Sequence, residues 1–378
     1  MALKNNTWKL NQWYDQSVAG NTTYSSTVKA LYIWGNNQYG ALGQNNNVHH
    51  SSPVQIPGTG WRHVNSSGYG WGCAATKTDG TLWAWGYNSA GQLGLNEAGP
   101  ANRSSPCQIP GTTWSDKFQI NYQAMLAIKT DGELWVWGNN NYGQLGQNDT
   151  TKVSSPVQIP GSWSDVASNL YSGAAIKTDG TLWAWGYNYY GQLGQNNRTN
   201  YSSPRQIPGT TWRSVHGSGY HLSATKTDGS LWSWGRNAAG ALGTNQGQNT
   251  DLSSPVQIPG SWTTKVSTMI QGAGAINTDG ELYMWGNNTQ GRLGQNDTTS
   301  YSSPRQVPGT WSDIASGQYG AMGMKTDGTA WSWGTNNYGA MGINDSPPVR
   351  YSSPVQIPGS DWSQIGSSQT GFQALKML

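Results

Sequence analysis

At 378 residues the chain has room for two or three domains of ordinary size, yet charged residues make up only 10% of it, while Gly (51) and Trp (22) abound and Phe (2) is nearly absent. No apolar run approaches the roughly 20 residues that span a bilayer, and a net charge of +3 is spread without a basic run. Neither a membrane nor nucleic acid is therefore an expected partner, since a phosphate-binding surface needs clustered cations.

Residues 1–27 stand apart from the rest of the chain and hold Trp8, Trp13 and Tyr14 in an otherwise polar arm. These aromatics are expected either to fold back onto the body of the protein or to dock it onto a larger assembly. Neither an apolar core nor a small-residue cleavage site follows Met1, so no secretory leader is read and a cytoplasmic or virion-associated location is expected. A second region, residues 28–378, repeats a Trp-Gly pair seven times, at Trp34, Trp85, Trp137, Trp185, Trp234, Trp285 and Trp333. Spacings of 51, 52, 48, 49, 51 and 48 residues have the period of a solenoid or a propeller.

Within a repeat the order is W-G-x-N-x-x-G-x-L/M-G, a variable stretch, S-S-P-x-Q-I/V-P-G, a Trp, a second variable stretch, and K-T-D-G-x-L-W-x-W-G. Four short strands are predicted. The S-S-P-x-Q-I segment carries a proline, which places it at a strand start or on an outer edge. W-x-x-V and the stretch ending A-x-K come next, and the fourth strand is the Trp-rich Leu82-Trp83-Ala84-Trp85 between two glycines. Pro57-Gly58 and Thr78-Asp79-Gly80 read as turns, the latter a tight hairpin. Four antiparallel strands repeated radially make an all-β, seven-bladed propeller, with Trp83-type rings stacked from blade to blade. Closure of the ring is read at the termini. T-D-G occurs six times, at Asp79, Asp131, Asp179, Asp228, Asp279 and Asp327. The seventh copy is missing: residues 374–378 stop where it would begin, and residues 29–34 start where it would end. The N- and C-terminal strands are thus expected to pair and to remove two exposed edges. Cys73 and Cys107 occupy variable slots, and no bridge between them is expected.

The phrase W-G-x-N-x-x-G-x-L-G, followed by K-T-D-G-x-L-W-x-W-G, closely resembles the repeat of the regulator-of-chromosome-condensation family over about residues 28–378. The resemblance implies a seven-bladed ring and says less about function, because one architecture hosts unrelated activities. Nucleotide exchange on a small GTPase is associated in that family with a wedge-like insertion, which repeats differing in length by only four residues do not supply. Plant ultraviolet-B receptors of this fold use tryptophans in a G-W-R-H-T motif that Gly60-Trp61-Arg62-His63-Val64 resembles. Here, however, Trp61 lies 16 residues before Lys77, out of register, and recurs as Trp114 and Trp163, so it reads as a structural blade residue. Secreted β-lactamase-inhibitor proteins of the fold bind an enzyme through loops on one face, and that mode transfers most easily.

The T-D-G aspartates recur at one turn in six blades, which suits turn geometry rather than catalysis. His49, His50, His63, His216 and His221 show no ligand spacing beyond the adjacent pair His49-His50, whose side chains diverge. The oxygen-rich stretches 147–150 and 295–298 offer one carboxylate each, too few for calcium. No nucleophile elbow, phosphate loop or paired-carboxylate motif appears, so no catalytic residue, metal or cofactor is expected. The rival is a lyase-like enzyme with a single site at the central channel. The informative signal lies where the repeats differ. Alternating strand direction puts the P-G and T-D-G turns on one face and the variable stretches on the other. On the variable face, the candidates five residues after the motif Trp are Tyr39, Tyr142, Tyr190 and Tyr338; those just before S-S-P are His50, Arg103, Tyr201, Tyr301 and Tyr351. A content of Tyr, Asn, Ser and Gly resembles a paratope, in which rigid aromatics anchor and small polar groups adapt. The expected function is a non-enzymatic binding or structural ring that presents this Tyr/Asn-rich face to a protein or glycan. A displayed component of a phage virion, with the N-terminal arm as tether, would fit.

Overall fold

The computed structural model describes residues 28–65, 71–97, 101–318, 320–345, 349–368 and 371–378; the arm with Trp8, Trp13 and Tyr14 lies outside the described residues. Within them, strands β1–β28, numbered in chain order, make seven four-stranded antiparallel sheets. The second blade shows the plan: β3 (Trp61–Asn65), β4 (Gly72–Lys77), β5 (Leu82–Gly86) and β6 (Arg103–Ile109) lie side by side in that order. W-x-x-V is the innermost strand, beside its counterparts around a central channel. S-S-P-x-Q-I is outermost, where the missing N–H of proline costs no ladder bond. The first blade is discontinuous. In it β1 (Lys29–Gly35) lies between β2 (His50–Gln55) and β28 (Gly371–Met377), with β27 (Trp362–Ser368) innermost. β1 pairs with β28 from Lys29 opposite Met377 to Gly35 opposite Gly371, so the ring closes inside one hairpin, as the absent seventh turn implied.

A single sheet has no interior of its own, so the apolar side chains collect between blades. Seven clusters result, one for each interface. Between the first and second blades, Leu31, Ile33, Leu42 and Ile56 meet Trp61, Val64, Ala75 and Trp85, with Trp83 packed against them. Each fully buried tryptophan hides about 150–250 Å², which makes these interfaces the main store of stability.

Three repeated contacts hold one blade to the next. First, the motif Trp donates its Nε1–H to a carbonyl in the loop of the preceding blade at 2.9–3.1 Å, from Trp85 to Ala41 around to Trp34 to Ala340. Second, the Asn of W-G-x-N curls that loop, its Oδ1 accepting the N–H five residues on, as Asn140 does from Leu145 at 2.9 Å. Third, the Gly of N-x-x-G lies against the Ser of the next outer strand. Gly143 has φ +77°, and a Cβ there would come within 2.5 Å of the Ser202 Cα, so only glycine lets the blades approach this closely. Cys73 and Cys107 are free, and burial pushes the Cys73 thiol up to about 12.

A chain lacking residues 371–378 loses the strand that β1 and β27 share and exposes two edges. It is expected to aggregate or to melt well below the full chain. Thermal unfolding with light scattering checks this; a monomer with an unchanged Tm contradicts the closing hairpin.

Candidate binding site

The two faces of the ring are built differently. On one, each T-D-G turn is tied to the P-G connections beside it: Thr78 N–H donates to Gly60 at 2.8 Å and Trp114 N–H to Gly80 at 3.0 Å. The aspartate closes the turn from within. Asp79 Oδ1 accepts from Thr81 N and Oγ1, Thr81 Oγ1 accepts from Trp83 Nε1, and these bonds hold the Asp79 carboxyl below the usual range. The polar groups of this turn are thus satisfied by their own neighbours.

On the opposite face, three segments from two blades meet at each junction: the residue five after the motif Trp of one blade, and, from the next, the x of W-G-x-N and the residue before the second strand. Their composition changes around the ring. Between the first and second blades, Tyr39 packs on Trp71 (4.6 Å) and Tyr87 (5.0 Å), and Tyr122 of the third blade stacks on Tyr87 at 5.8 Å. Between the third and fourth, Tyr142 packs on Tyr171 (5.2 Å) and Tyr187 (4.9 Å). Between the fourth and fifth, Tyr190 meets Tyr220 at 5.0 Å, with Tyr189 against it and the Arg236 guanidinium 4.9 Å over its ring. The result is an arc of rings over five consecutive blades in two groups, one from Tyr39 to Tyr122 and one from Tyr142 to Tyr220; in the third blade the positions equivalent to Tyr87 and Trp71 hold an amide pair instead, Asn139 Nδ2 donating to Gln123 Oε1 at 3.0 Å. Tyr142 and Tyr189 are 41% and 60% exposed, and the other rings of the arc are half-buried. Burial among its neighbours raises the Tyr187 phenol. Beyond the arc the junctions turn polar, as in the Thr335 Oγ1 to Gln290 Oε1 bond of 2.8 Å.

The structure thus brings Tyr39, Tyr142 and Tyr190 into one surface, together with Trp71, Tyr87, Tyr122, Tyr171, Tyr187, Tyr220 and Arg236, which their places in the repeat do not single out. Tyr338 stands apart on this face, 47% exposed and 4.9 Å from His49. The residues near S-S-P sit on the outer strands instead. His50, Arg103, Tyr201 and Tyr301 open their strands, and Tyr351 is second in its own. Each of these last four is engaged within its own blade: Arg103 with Glu97, Tyr201 with Asn197, Tyr301 with Asp297 at 2.6 Å, and Tyr351 with Asp345.

The central channel opens into a cavity of about 220 Å³ lined by inner-strand residues that include His63, His216, Lys265, Asp313 and Gln364. Its charged groups recur in some blades and not others: Asp116, Asp165 and Asp313 each stand two residues after the inner-strand Trp, and Lys117 and Lys265 three after it. They are paired between blades: Arg62 Nε with Asp116 at 2.8 Å, Lys117 with Asp165 at 2.9 Å and Lys265 with Asp313 at 3.1 Å. Asp165 Oδ2 also accepts the Val215 N–H of the next blade at 3.0 Å, and Gln364 donates to the Val64 carbonyl at 3.1 Å. Trp61 is buried against Trp83 and Trp85, the structural place read for it. Among the described residues, no three His, Cys, Asp or Glu side chains gather to hold a metal ion, and no helix is long and apolar enough to cross a membrane.

Residues 16–310 match the family model of the RCC1-like domain, and residues 311–340 and 327–370 match the regulator of chromosome condensation (RCC1) repeat. The chain belongs to the RCC1-like domain family. A stretch covering 34% of it is 26% identical to the ultraviolet-B receptor UVR8 of Arabidopsis thaliana, over 30% of that protein. Another match, 31% identical, covers 35% of this chain and 14% of the X-linked retinitis pigmentosa GTPase regulator of Canis lupus familiaris. The chain therefore spans less than a third of the length of these curated relatives. Over the whole ring, Prp20p of Saccharomyces cerevisiae superposes with a TM-score of 0.83 at 18% identity, covering 96% of this chain and 94% of that one. Human WBSCR16 gives 0.80 at 19% identity, covering 92% and 99%. At these identities the likeness is one of fold.

In this RCC1-like ring, burial lowers His63 and His216 from 6.5 to about 4, against the upward pull of Asp116 and Asp165 and with the further push of Lys117 and Lys265. Between pH 6.5 and 4 the unfolded chain therefore binds more protons at these two sites than the folded chain. Their contribution to stability is complete above pH 6.5 and is lost as pH falls through that window. Burial raises Asp313, which acts in the opposite sense, stabilising at acid pH and fading as pH rises past its raised value. The Tm is expected to fall from pH 6.5 to 4, and less steeply in the H63N/H216N double variant. An equally steep fall in that variant contradicts the assignment.

Proposed function

We propose that this chain is a non-enzymatic binding ring that takes a protein partner on the aromatic arc of its variable face. The observation that carries the reading is the arc itself, an array of rings held edge-to-face and offset over adjacent blades, with Arg236 at one end. Tyr, Trp and Arg are the residues that dominate protein interfaces. Rings already immobilised by one another lose little rotamer freedom when a partner covers them. Solved rings of this fold support the choice of a protein over a glycan: one yeast RCC1 (Prp20) structure has Kap60 bound, and another was described with binding properties toward Gsp1p and histones. Against catalysis in the channel stands the commitment of its carboxylates to ion pairs between blades. Residues 1–27, outside the ring, would serve as the tether by which the propeller is displayed on a larger particle such as a virion.

The test compares two sets of variants against the partner that co-purifies with the native protein. Tyr142→Ala and Tyr190→Ala are each expected to cost about 2 kcal/mol of binding, or roughly thirtyfold in affinity. Asp79→Asn and Asp179→Asn, on the turn face, should lower stability slightly and spare binding. If the turn-face set abolishes binding and the tyrosine set does not, the binding face is the opposite one. If only removal of residues 1–27 matters, the arm is the functional contact.

A further inference from the structure

One blade lacks a side chain that the others carry, and a cavity marks the place. In six blades the Lys of K-T-D-G, or Lys376 in the first blade, lies over the ring of the inner-strand Trp. In five of these its ammonium also lies 4.0–4.5 Å from the centroid of the first Trp of L-W-x-W. Its last atoms reach the glycine of the adjacent P-G turn: Lys77, Lys177, Lys226, Lys325 and Lys376 each come within 4 Å of a Cβ built there. In the sixth blade the position is Asn277 and the second ring is Tyr283. A cavity of about 440 Å³ opens there, lined by Trp262, Tyr283, Asn277, Pro259 and Pro304 among others.

The rest of the cation's surroundings is still in place. Trp262 and Tyr283 keep the edge-to-face geometry of the other blades, at 5.6 Å and 84°, against 6.3 Å and 76° for Trp61 and Trp83. The third blade shows how a carboxylate takes part: Glu133 Oε2 lies 3.4 Å from the Lys129 ammonium and accepts Trp135 Nε1 at 3.1 Å. Glu281 is the same residue in the sixth blade. It accepts the Tyr283 hydroxyl at 3.0 Å and Asn277 Nδ2 at 2.8 Å. The change of Trp to Tyr does not account for the missing cation, because the first blade has Tyr32 there and still places Lys376 over Trp362 at 5.7 Å.

We propose that this cavity binds a primary alkylammonium group, the head and stem of the lysine that the sixth blade lacks. Two aromatic faces attract the cation, the prolines receive its methylene stem, and Glu281, bonded to the lining residues Asn277 and Tyr283, supplies a negative charge behind them. Titration calorimetry at constant ionic strength tests this with n-butylammonium, using n-butanol as the neutral control. The full chain is expected to bind n-butylammonium saturably in the millimolar range and n-butanol at least about tenfold more weakly. Asn277→Lys restores the arrangement of the other blades; it should abolish binding and raise the Tm. Glu281→Gln should weaken binding several-fold at an unchanged Tm. Nα-acetyl-lysine N-methylamide as a second probe separates the sources of such a group. Tighter binding than n-butylammonium points to a lysine of a partner protein, and equal or weaker binding to a free amine; either upholds the site. No saturable binding, equal binding of the alcohol, or undiminished binding in N277K overturns it.

Discussion

One hydrogen bond, made seven times, sets the geometry on which the ring depends. The indole N–H of the motif tryptophan reaches a loop carbonyl of the preceding blade, and the last such bond, from Trp34 to Ala340, joins the first blade to the seventh. Each donor is fully buried, so an unmade bond would leave a desolvated polar group and cost about 1–3 kcal/mol. The ring also buries its large apolar area at the same interfaces. Burial is non-directional and would tolerate a range of blade angles; the indole bond and the glycine–serine approach beside it select one. A closed ring requires all seven angles to agree, which is why these contacts repeat with so little variation.

That uniformity divides the molecule into a strict half and a free half. The T-D-G and P-G turns bond to each other and to their own strands, so a change there disturbs a blade. On the other face the same tryptophan bond anchors only the G-x-L-G end of its loop. Positions a few residues away, including Tyr39, Ala90, Tyr142, Tyr190, Ala239, Gln290 and Tyr338, vary without cost to closure. The aromatic arc occupies this free half and is confined to about five blades, an asymmetry that a purely structural repeat does not need. A rigid frame with variable loops on one side is a general way of presenting function.

Much of the fold is legible in the residues alone. The spacing of Trp-Gly pairs and the absence of a seventh T-D-G lead directly to a closed ring with a shared hairpin, because both features are local and periodic. The candidate site is only partly legible. Tyr39, Tyr142 and Tyr190 stand at one repeat position and can be selected from it. Tyr187 and Tyr171 lie 45 and 29 residues from Tyr142 in sequence and reach it only because the fourth blade packs on the third. Tyr201, Tyr301 and Tyr351 are equally conspicuous in sequence, but the pleat of an outer strand gives each a partner within its own blade. Asn277 is visible as a departure from K-T-D-G. Its meaning waits on knowing that the lysine it replaces covers tryptophan rings.

The central claim is that the variable face, through its aromatic arc, is where a partner sits. Hydrogen–deuterium exchange on the complex with the native partner tests this most directly, because it reads backbone protection without altering a residue. The account predicts slowed exchange in the loops around residues 121–123, 169–171 and 219–220, with no change at the T-D-G turns around Asp79, Asp179 and Asp228. Protection confined to those turns, with the arc loops exchanging as in the free ring, would contradict it.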